Sequence, residues 1–271
     1  MKTQNPSTTS KLTPKKAIIL ILPVAFAIVA ALSVALLVQG GLKRADNPTP
    51  PPPAESSTEP KDVAVIAPPP ESEADTSHSK GLEFRSNGDG TATLTGIGTC
   101  TDREVIIPDT TPSGDLVIAI GSKAFKGISA IGEVVFPPSL MTIGEDAFRG
   151  SGITSVSIGS SVISIEEGAF ADCRALTAIN ASEANAMYAS KDGILFNREL
   201  TEIICYPSGR SNRRYAIPSS VTQIAPSAFS SCDNLREISF EGTKKQWNEV
   251  YVYSGNSSLY ECELFFAPDE K

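Results

Sequence analysis

Apolar positions recur at a fixed spacing along the C-terminal two thirds of the chain. Four times an Ile is followed five residues later by the Phe of an Ala-Phe pair, and successive Phe residues lie 23, 22 and 59 positions apart. The pairs are Ile120 and Phe125, Ile143 and Phe148, Ile165 and Phe170, and Ile224 and Phe229. A step of about 22 residues is typical of a solenoid, in which one small unit stacks on copies of itself. The pattern therefore predicts a β-rich solenoid with short helical or 3-10 turns, a class that mostly serves binding.

Each unit opens with an alternating segment, as in residues 153–158. Successive side chains of a strand point to opposite faces, so we expect Val156 and Ile158 to be buried and the Ser residues between them to be exposed. Stacked units then share one continuous core, in which the four Phe residues are predicted to form an aromatic column. The outward positions form a small, polar candidate binding face, which favours weak or multivalent binding. Its residues are Glu133, Ser155, Ser157, Asn180, Glu237 and Ser239.

Two segments depart from the repeat. The step of 59 residues between Phe170 and Phe229 exceeds a step of 22 by 37 residues. Because residues 192–196 and 202–207 have the character of two strands around a turn, we predict an inserted hairpin or an extra coil that continues the stack. Aromatic residues cluster near the C-terminus, where they form either a cap over the open end or an aromatic binding patch. They are Trp247, Tyr251, Tyr253, Tyr260, Phe265 and Phe266.

The N-terminal part has a different composition. Residues 17–38 carry no charge, and a helix of this length spans roughly 33 Å, enough for a bilayer core. Lysines precede this run, so we expect residues 1–16 to be a cytoplasmic tail, residues 17–40 a single-pass anchor, and the remainder extracytoplasmic. A cleaved signal peptide is the alternative, although its apolar region is usually only about 7–15 residues long. Residues 41–80 are rich in Pro and predict a disordered linker, which leaves residues 81–271 as the repeat domain with its C-terminal cap.

The charge and the residue types of this domain limit the kinds of partner and reaction that are expected for it. Residues 81–271 contain 15 Lys and Arg against 24 Asp and Glu, a formal charge of −9, which argues against nucleic acid as a partner. The single histidine, His78, lies in the predicted linker, so the domain cannot build a Ser-His-Asp set or a His-based metal site. The adjacent acids of residues 145–146 and 166–167 occupy equivalent turns of two repeats. The sequence therefore predicts no enzyme, no cofactor and no metal.

Five cysteines are present, at positions 100, 173, 205, 232 and 262. Cys173 and Cys232 occupy the same repeat position, which favours a small buried residue at that point of each coil. An exported compartment also permits disulfides, so cysteine pairing stays open.

The best repeat copy is residues 217–232, with Ile217-Pro218 at its start, Val221-Thr222 and Ile224 in its middle, and Ala228-Phe229 followed by Cys232 at its end. This copy resembles the BspA-like leucine-rich repeat family, as do the lead-in residues 89–101 and the closing residues 240–247. The resemblance implies an exported or surface-attached protein that takes part in adhesion or in host or matrix binding. We therefore expect a membrane-anchored interaction module that binds a protein or polysaccharide outside the cell. The alternatives are a passive structural or assembly partner in the cell envelope and, less so, an enzyme acting on cell-wall polymer.

Overall fold

The computed structural model of the protein describes residues 10–11 and 78–268. This part of the chain contains eighteen β-strands and two helices of one turn each. In chain order the strands are β1 (Ser10–Lys11), β2 (Glu83–Ser86), β3 (Thr91–Gly96), β4 (Glu104–Ile106), β5 (Leu116–Ile120), β6 (Glu133–Val135), β7 (Thr142–Ile143), β8 (Ser155–Ile158), β9 (Ser164–Ile165), β10 (Ala178–Ala181), β11 (Tyr188–Lys191), β12 (Ile194–Asn197), β13 (Glu202–Cys205), β14 (Arg214–Ile217), β15 (Gln223–Ile224), β16 (Glu237–Phe240), β17 (Tyr251–Val252) and β18 (Glu263–Phe266). The helices are α1 (Lys244–Trp247) and α2 (Ser257–Tyr260). The predicted anchor, residues 17–40, and all but the last residues of the predicted linker lie outside the described residues.

The strands form four sheets that make up two walls of a solenoid. The first wall has the strand order β4-β6-β8-β10 followed by a second sheet, β14-β16-β18, whose outer edge pairs with β1. The second wall has the order β2-β3-β5-β7-β9 followed by β11-β12-β13-β15-β17. Strands of successive coils pair in parallel, as β6 does with β8 and β7 with β9. The chain therefore adds one strand to each wall per coil, which confirms the predicted β-rich repeat fold.

The recurring Ile residues hold the coils in register. In the second wall Ile120 pairs with Ile143, and Ile143 pairs with Ile165. In the later sheet Ile203 pairs with Ile224 in the same way. Since a shift of one residue would turn every apolar side chain of a strand outward, this apolar ladder fixes the register of the whole stack.

The turns between the walls share one backbone conformation at equivalent positions, although the residue types at these positions differ. A left-handed residue, with φ between 50° and 73°, stands three positions after each recurring Ile and again two positions after each Phe. The first set is Lys123, Asp146, Gly168 and Ser227, and the second is Gly127, Gly150, Asp172 and Ser231. Hydrogen bonds between residues three apart close these turns, as from the N–H of Ala147 to the carbonyl oxygen of Gly144 at 3.1 Å. Left-handed backbone disfavours side chains with a Cβ, so tertiary packing, not local preference, sets the non-glycine turns.

The aromatic column has two parts, so the prediction of one column formed by all four Phe residues was wrong. The rings of Phe125 and Phe148 stack at 4.9 Å between centroids, and those of Phe148 and Phe170 at 5.6 Å. Phe229 instead stacks on Tyr206 at 5.2 Å. Tyr206 takes the Phe position of the coil before Phe229, because the inserted segment supplies a coil that lacks the Ala-Phe signature. The buried apolar residues accordingly form two clusters that meet within the insertion, where Leu195 belongs to the first cluster and Phe196 to the second.

The inserted segment contains both elements that the sequence suggested. Strands β11 and β12 form an antiparallel hairpin with Lys191 opposite Ile194. Strand β13 then returns antiparallel to β12 and pairs in parallel with β15. The hairpin is fixed beside β10, since the N–H of Ile179 donates to the carbonyl oxygen of Gly193 at 2.9 Å. The insertion therefore extends the stack and does not form a separate domain.

The C-terminal aromatic residues divide between the core and the surface. Trp247 is 4% exposed and packs on Phe240, with ring centroids 5.3 Å apart. Tyr251 and Tyr253 are 49% and 38% exposed and contact each other edge to face at 4.5 Å. The buried side chain of Asn256 accepts the N–H of Phe229 at 2.8 Å, where a further coil would otherwise supply a carbonyl. The side-chain amide of Asn256 therefore provides the hydrogen-bond acceptor that the N–H of Phe229, in the last regular turn of the stack, would otherwise lack.

Candidate functional site

Four of the six predicted binding residues lie together on the outer face of the first wall. Glu133 pairs with Ser155 across β6 and β8, and Ser157 pairs with Asn180 across β8 and β10. Their neighbours along each strand, such as Val156, point into the core, as strand alternation predicts. Glu133, Ser157 and Asn180 are exposed and Ser155 is half-buried. We call these four residues the strand face.

The strand face is shallowly concave. A cavity of about 480 Å³ lies over it, bounded by the strands and by the Pro residues that follow β6. Val135 is 40% exposed on the same surface. The arrangement offers a carboxylate, hydroxyls, an amide and a small apolar area on one rigid sheet. Such a surface suits the hydrogen bonds of a polypeptide or sugar.

The other two predicted residues lie elsewhere on the first wall. Glu237 and Ser239 belong to β16, in the sheet β14-β16-β18, which is hydrogen-bonded separately from β4-β6-β8-β10. The carboxylate of Glu237 accepts from the guanidinium of Arg214 at 2.7 Å. Ser239 lies between Ala216 and Phe265 in the register of the three strands. The six residues therefore do not form one continuous face, because the inserted hairpin separates the two sheets.

A second candidate site lies where the repeat is interrupted, and sequence reasoning missed it. A cavity of about 350 Å³ opens between the coil of Phe170 on one side and the inserted segment with the coil of Phe229 on the other. We call it the seam pocket. Its lining includes Ile165, Phe170, Tyr188, Glu202, Ile204 and Pro226. One sequence signal could have revealed it, because Ile203 and Tyr206 are three residues apart, whereas Ile and Phe are five residues apart in the four coils that carry the signature.

Two polar groups of the seam pocket come from the inserted hairpin and its following strand. The hydroxyl of Tyr188 on β11 accepts the N–H of Ile165 at 2.7 Å, at the free edge of β9. Glu202, on β13, is half-buried, and burial raises the pKa of its carboxyl group above the ordinary value. Burial also raises the pKa of Tyr188, and the negative charge of Glu202 adds to this effect. The carboxylate and the hydroxyl therefore influence each other within one cavity.

One side of the seam is closed by polar contacts. The N–H of Asp172 donates to the hydroxyl of Ser230 at 2.9 Å, and the carboxylate of Asp172 accepts from Ser231 at 2.8 Å. An ion pair between Arg174 and Asp233 lies further along the same side. These contacts join the two coils near Cys173 and Cys232. The seam pocket is therefore closed on that side and open on the side of Ile165 and Tyr188.

Among the adjacent acidic turn residues, Asp146 has a structural role. Burial raises the pKa of Asp146, but hydrogen bonds from Lys126 at 2.7 Å and Arg149 at 3.3 Å outweigh it and hold the pKa below the ordinary value. Arg149 also pairs with Asp172 of the next coil at 2.9 Å. Charges of alternating sign thus connect three successive coils, and Asp146 is a member of that ladder.

All five cysteines are free and buried. The thiol of Cys173 donates to the carbonyl oxygen of Phe148 at 2.9 Å, as the repeat position predicted for a small buried residue. Burial raises the pKa of Cys232 to about 12 and that of Cys262 to about 11. These thiols are therefore protonated at neutral pH, which disfavours nucleophilic or metal-binding roles. Among the described residues no group of three or more His, Cys, Asp or Glu side chains is placed to hold a metal ion.

Parallel strands that stack coil upon coil, with an apolar ladder and short turns, define a leucine-rich repeat protein. The profile of the BspA-type leucine-rich repeat region matches residues 103–215 and 208–265 with six copies. The chain belongs to this family, as the motif of residues 217–232 indicated. No similar sequence was found among curated proteins.

Solved structures of bacterial leucine-rich repeat proteins resemble this fold. A leucine-rich repeat protein from Eubacterium ventriosum is 21% identical, with a TM-score of 0.47 over 56% of this chain and 46% of its own. The pneumococcal vaccine antigen PcpA is 24% identical, with a TM-score of 0.47 over 51% of this chain and 34% of its own. A leucine-rich repeat protein of T. pallidum is 21% identical, with a TM-score of 0.42 over 65% of this chain and 80% of its own. The match thus covers less than half of the first two proteins.

Across the described residues, no helix has both the length and the apolar character needed to cross a bilayer. The segment predicted to do so, residues 17–40, lies outside that part of the chain.

Proposed function

We propose that the repeat domain is a protein-binding module, displayed outside the cell membrane on a proline-rich linker, and that the strand face is its binding surface. The observation that carries this proposal is the strand face itself. Glu133, Ser155, Ser157 and Asn180 form one exposed polar surface on three parallel strands under a cavity of about 480 Å³. Leucine-rich repeat proteins are generally binding modules without enzymatic activity, which agrees with this arrangement.

The residue types of the strand face favour a modest affinity for each binding contact. The strand face carries no Trp, Tyr or Arg, the residues that most often dominate binding energy at interfaces. Its polar groups are held by the sheet, so little side-chain order is lost on binding. Binding strength would then come from several copies of the module on one cell, since linked sites raise the effective concentration of the second contact.

The display outside the membrane rests on the sequence. The uncharged run of residues 17–38 follows four lysines, which places the N-terminus in the cytoplasm by the positive-inside bias. Protease treatment of intact cells should release a fragment that contains residues 81–271. Protection of that fragment in intact cells, with cleavage after lysis, would contradict the display.

The binding surface is tested by site-specific photocrosslinking in the same cells. A photoreactive phenylalanine at position 157 lies on the strand face, and one at the exposed position 222, which precedes β15 in the second wall, is the matched control. We expect a discrete protein adduct from position 157 that Asn180→Arg suppresses, and none from position 222. A single stoichiometric envelope protein as the adduct would indicate an assembly role. The absence of any adduct with matrix or envelope proteins, or equal labelling from both positions, would refute the strand face as the binding surface.

A further inference from the structure

The regular hydrogen bonding between successive turns is interrupted at the seam pocket. In the regular coils each turn is covered by the next, so that the N–H of Asp146 donates to the carbonyl oxygen of Glu167 and that of Phe148 to Ala169. The next N–H groups in line belong to Gly168 and Phe170. In the part of the chain that the structure describes, neither meets a backbone carbonyl. The ladder of turns therefore stops at the pocket.

The cause lies in the length of the following turn. Between Ile203 and Tyr206 there are two residues fewer than between Ile and Phe in the other coils. The missing length is the part that would have covered Gly168. The coil is nevertheless held in place, because the N–H of Tyr206 donates to the carbonyl oxygen of Ala228 at 2.8 Å. The turn of Tyr206 is thus tied to the coil that follows it, and the pocket lies between this turn and the coil of Phe170.

The lining of the seam pocket specifies the chemistry of its occupant. Side chains of Ile165, Phe170 and Ile204 provide apolar walls. The acidic residues Glu166, Glu167 and Glu202 line the same space, and no Lys or Arg is among the described residues that line it. The carboxylate of Glu166 already accepts the N–H of Glu145 at 2.9 Å. Such a pocket attracts a group with an apolar stem and a positively charged end, because both kinds of surface then find a complement.

We propose that the seam pocket binds a lysine side chain of a partner polypeptide, with its methylene groups against the apolar walls and its ammonium group at Glu202. An ammonium group has three donors, and the pocket offers acceptors in the carboxylates of Glu202 and Glu167 and the hydroxyl of Tyr188. The N–H groups of Gly168 and Phe170 are available to carbonyl oxygens of the same polypeptide. This site is distinct from the strand face and lies at the end of the second wall's first sheet, so the two proposals stand or fall separately.

The test uses the full-length protein and saturation-transfer NMR, which detects weak binding of small molecules. The probe is N-acetyl-lysine methylamide, and the matched control is N-acetyl-norleucine methylamide, which keeps an apolar stem and lacks the charge. We expect saturation transfer to the lysine methylenes and a signal at least several-fold weaker for the norleucine compound. Glu202→Gln should weaken lysine binding about tenfold, the effect of one partly buried charged contact. Glu199→Gln, an exposed change three residues away, should leave lysine binding unchanged.

Folding of each variant is checked by thermal unfolding of the single tryptophan, Trp247. A second variant, Glu202→Lys, supplies an ammonium group within the chain and should abolish binding of the probe. Equal binding of the lysine and norleucine compounds, or lysine binding that survives both changes at Glu202, would overturn the proposal. Preferential binding of N-acetyl-arginine methylamide would overturn the assignment of lysine. None of these results would affect photocrosslinking from position 157, which tests the strand face.

Discussion

At the scale of single residues, Glu202 shows how a side chain suited to binding lowers the stability of the fold. Its carboxyl group is half-buried without a cationic partner among the described residues that line the seam pocket, and burial raises its pKa. A carboxyl group with a raised pKa in the folded state binds a proton more tightly there than in the unfolded chain. The free energy of unfolding therefore falls as the pH rises through the unfolded pKa toward the folded pKa.

The first prediction follows from that sign. Glu202→Gln removes the charge and keeps the shape, so it should raise the melting temperature at pH 7.5, where burial of an ionised carboxyl group is unfavourable. Near pH 4 the raised pKa keeps the carboxyl group of Glu202 more protonated in the folded protein than in the unfolded chain, so the difference should shrink. The melting temperature is measured at both pH values, with the exposed Glu199→Gln as the control that should shift neither. A lower melting temperature for Glu202→Gln at pH 7.5 would show that the carboxylate has a stabilising partner.

At the scale of elements, the interrupted aromatic column makes a prediction about coupling between side chains. Phe148 and Phe170 stack at 5.6 Å, whereas Phe229 stacks on Tyr206. A stacked pair contributes about 0.5–1.5 kcal/mol beyond the burial of its area. Double-mutant cycles with Leu should therefore give a coupling energy of that size for Phe148 with Phe170 and about zero for Phe170 with Phe229. Denaturant unfolding measures both, and equal coupling in the two cycles would restore the single column.

The same elements show what the sequence could predict. The coils, their register and the buried faces follow from the spacing of Ile, Ala and Phe, because apolar periodicity identifies the side of a strand that packs inward. The seam pocket does not follow from it. Tyr206 and Cys205 replace Phe and Ala, so the coil carries no recognisable signature, and its pairing with β15 becomes clear only once the hairpin is placed. The left-handed turns at Lys123 and Ser227 were equally hidden, since no glycine marks them.

The six residues predicted to form one outward face lie on two separate sheets for a related reason. Alternation along a strand correctly placed Ser155, Ser157 and Asn180 on the outside. It could not show that Glu237 belongs to a separate sheet or that Arg214 occupies its carboxylate. Which strands are neighbours depends on the inserted hairpin between β10 and β14, a long-range property that periodicity within one strand does not contain.

At the scale of the whole molecule, the pairing of strand β1 with β18 is incompatible with the proposed membrane anchor. Ser10 and Lys11 pair with Leu264 and Glu263 at the edge of β18. An anchor at residues 17–40 would place these two segments on opposite sides of a membrane. The backbone hydrogen bonds between β1 and β18 contribute about 1–3 kcal/mol. The loss of conformational entropy when Ser10 and Lys11 become ordered roughly cancels this contribution. Insertion of the apolar run gains about 0.3–0.6 kcal/mol for each Leu, Ile or Val, several kcal/mol in all. We therefore expect the anchor to prevail and the edge of β18 to be open.

Truncation of the purified full chain distinguishes the two arrangements. Removal of residues 2–13 should leave the melting temperature reported by Trp247 within about 1 °C of the native value, because the N-terminal pairing contributes no net stability. Removal of residues 263–271 is the control. It deletes the buried Leu264 and uncovers β16, so it should cost about 3 kcal/mol or more. If the N-terminal truncation instead lowers the melting temperature by several degrees, β1 belongs to the folded domain. Both ends of the chain must then lie on one side of the membrane, and the single-pass arrangement fails.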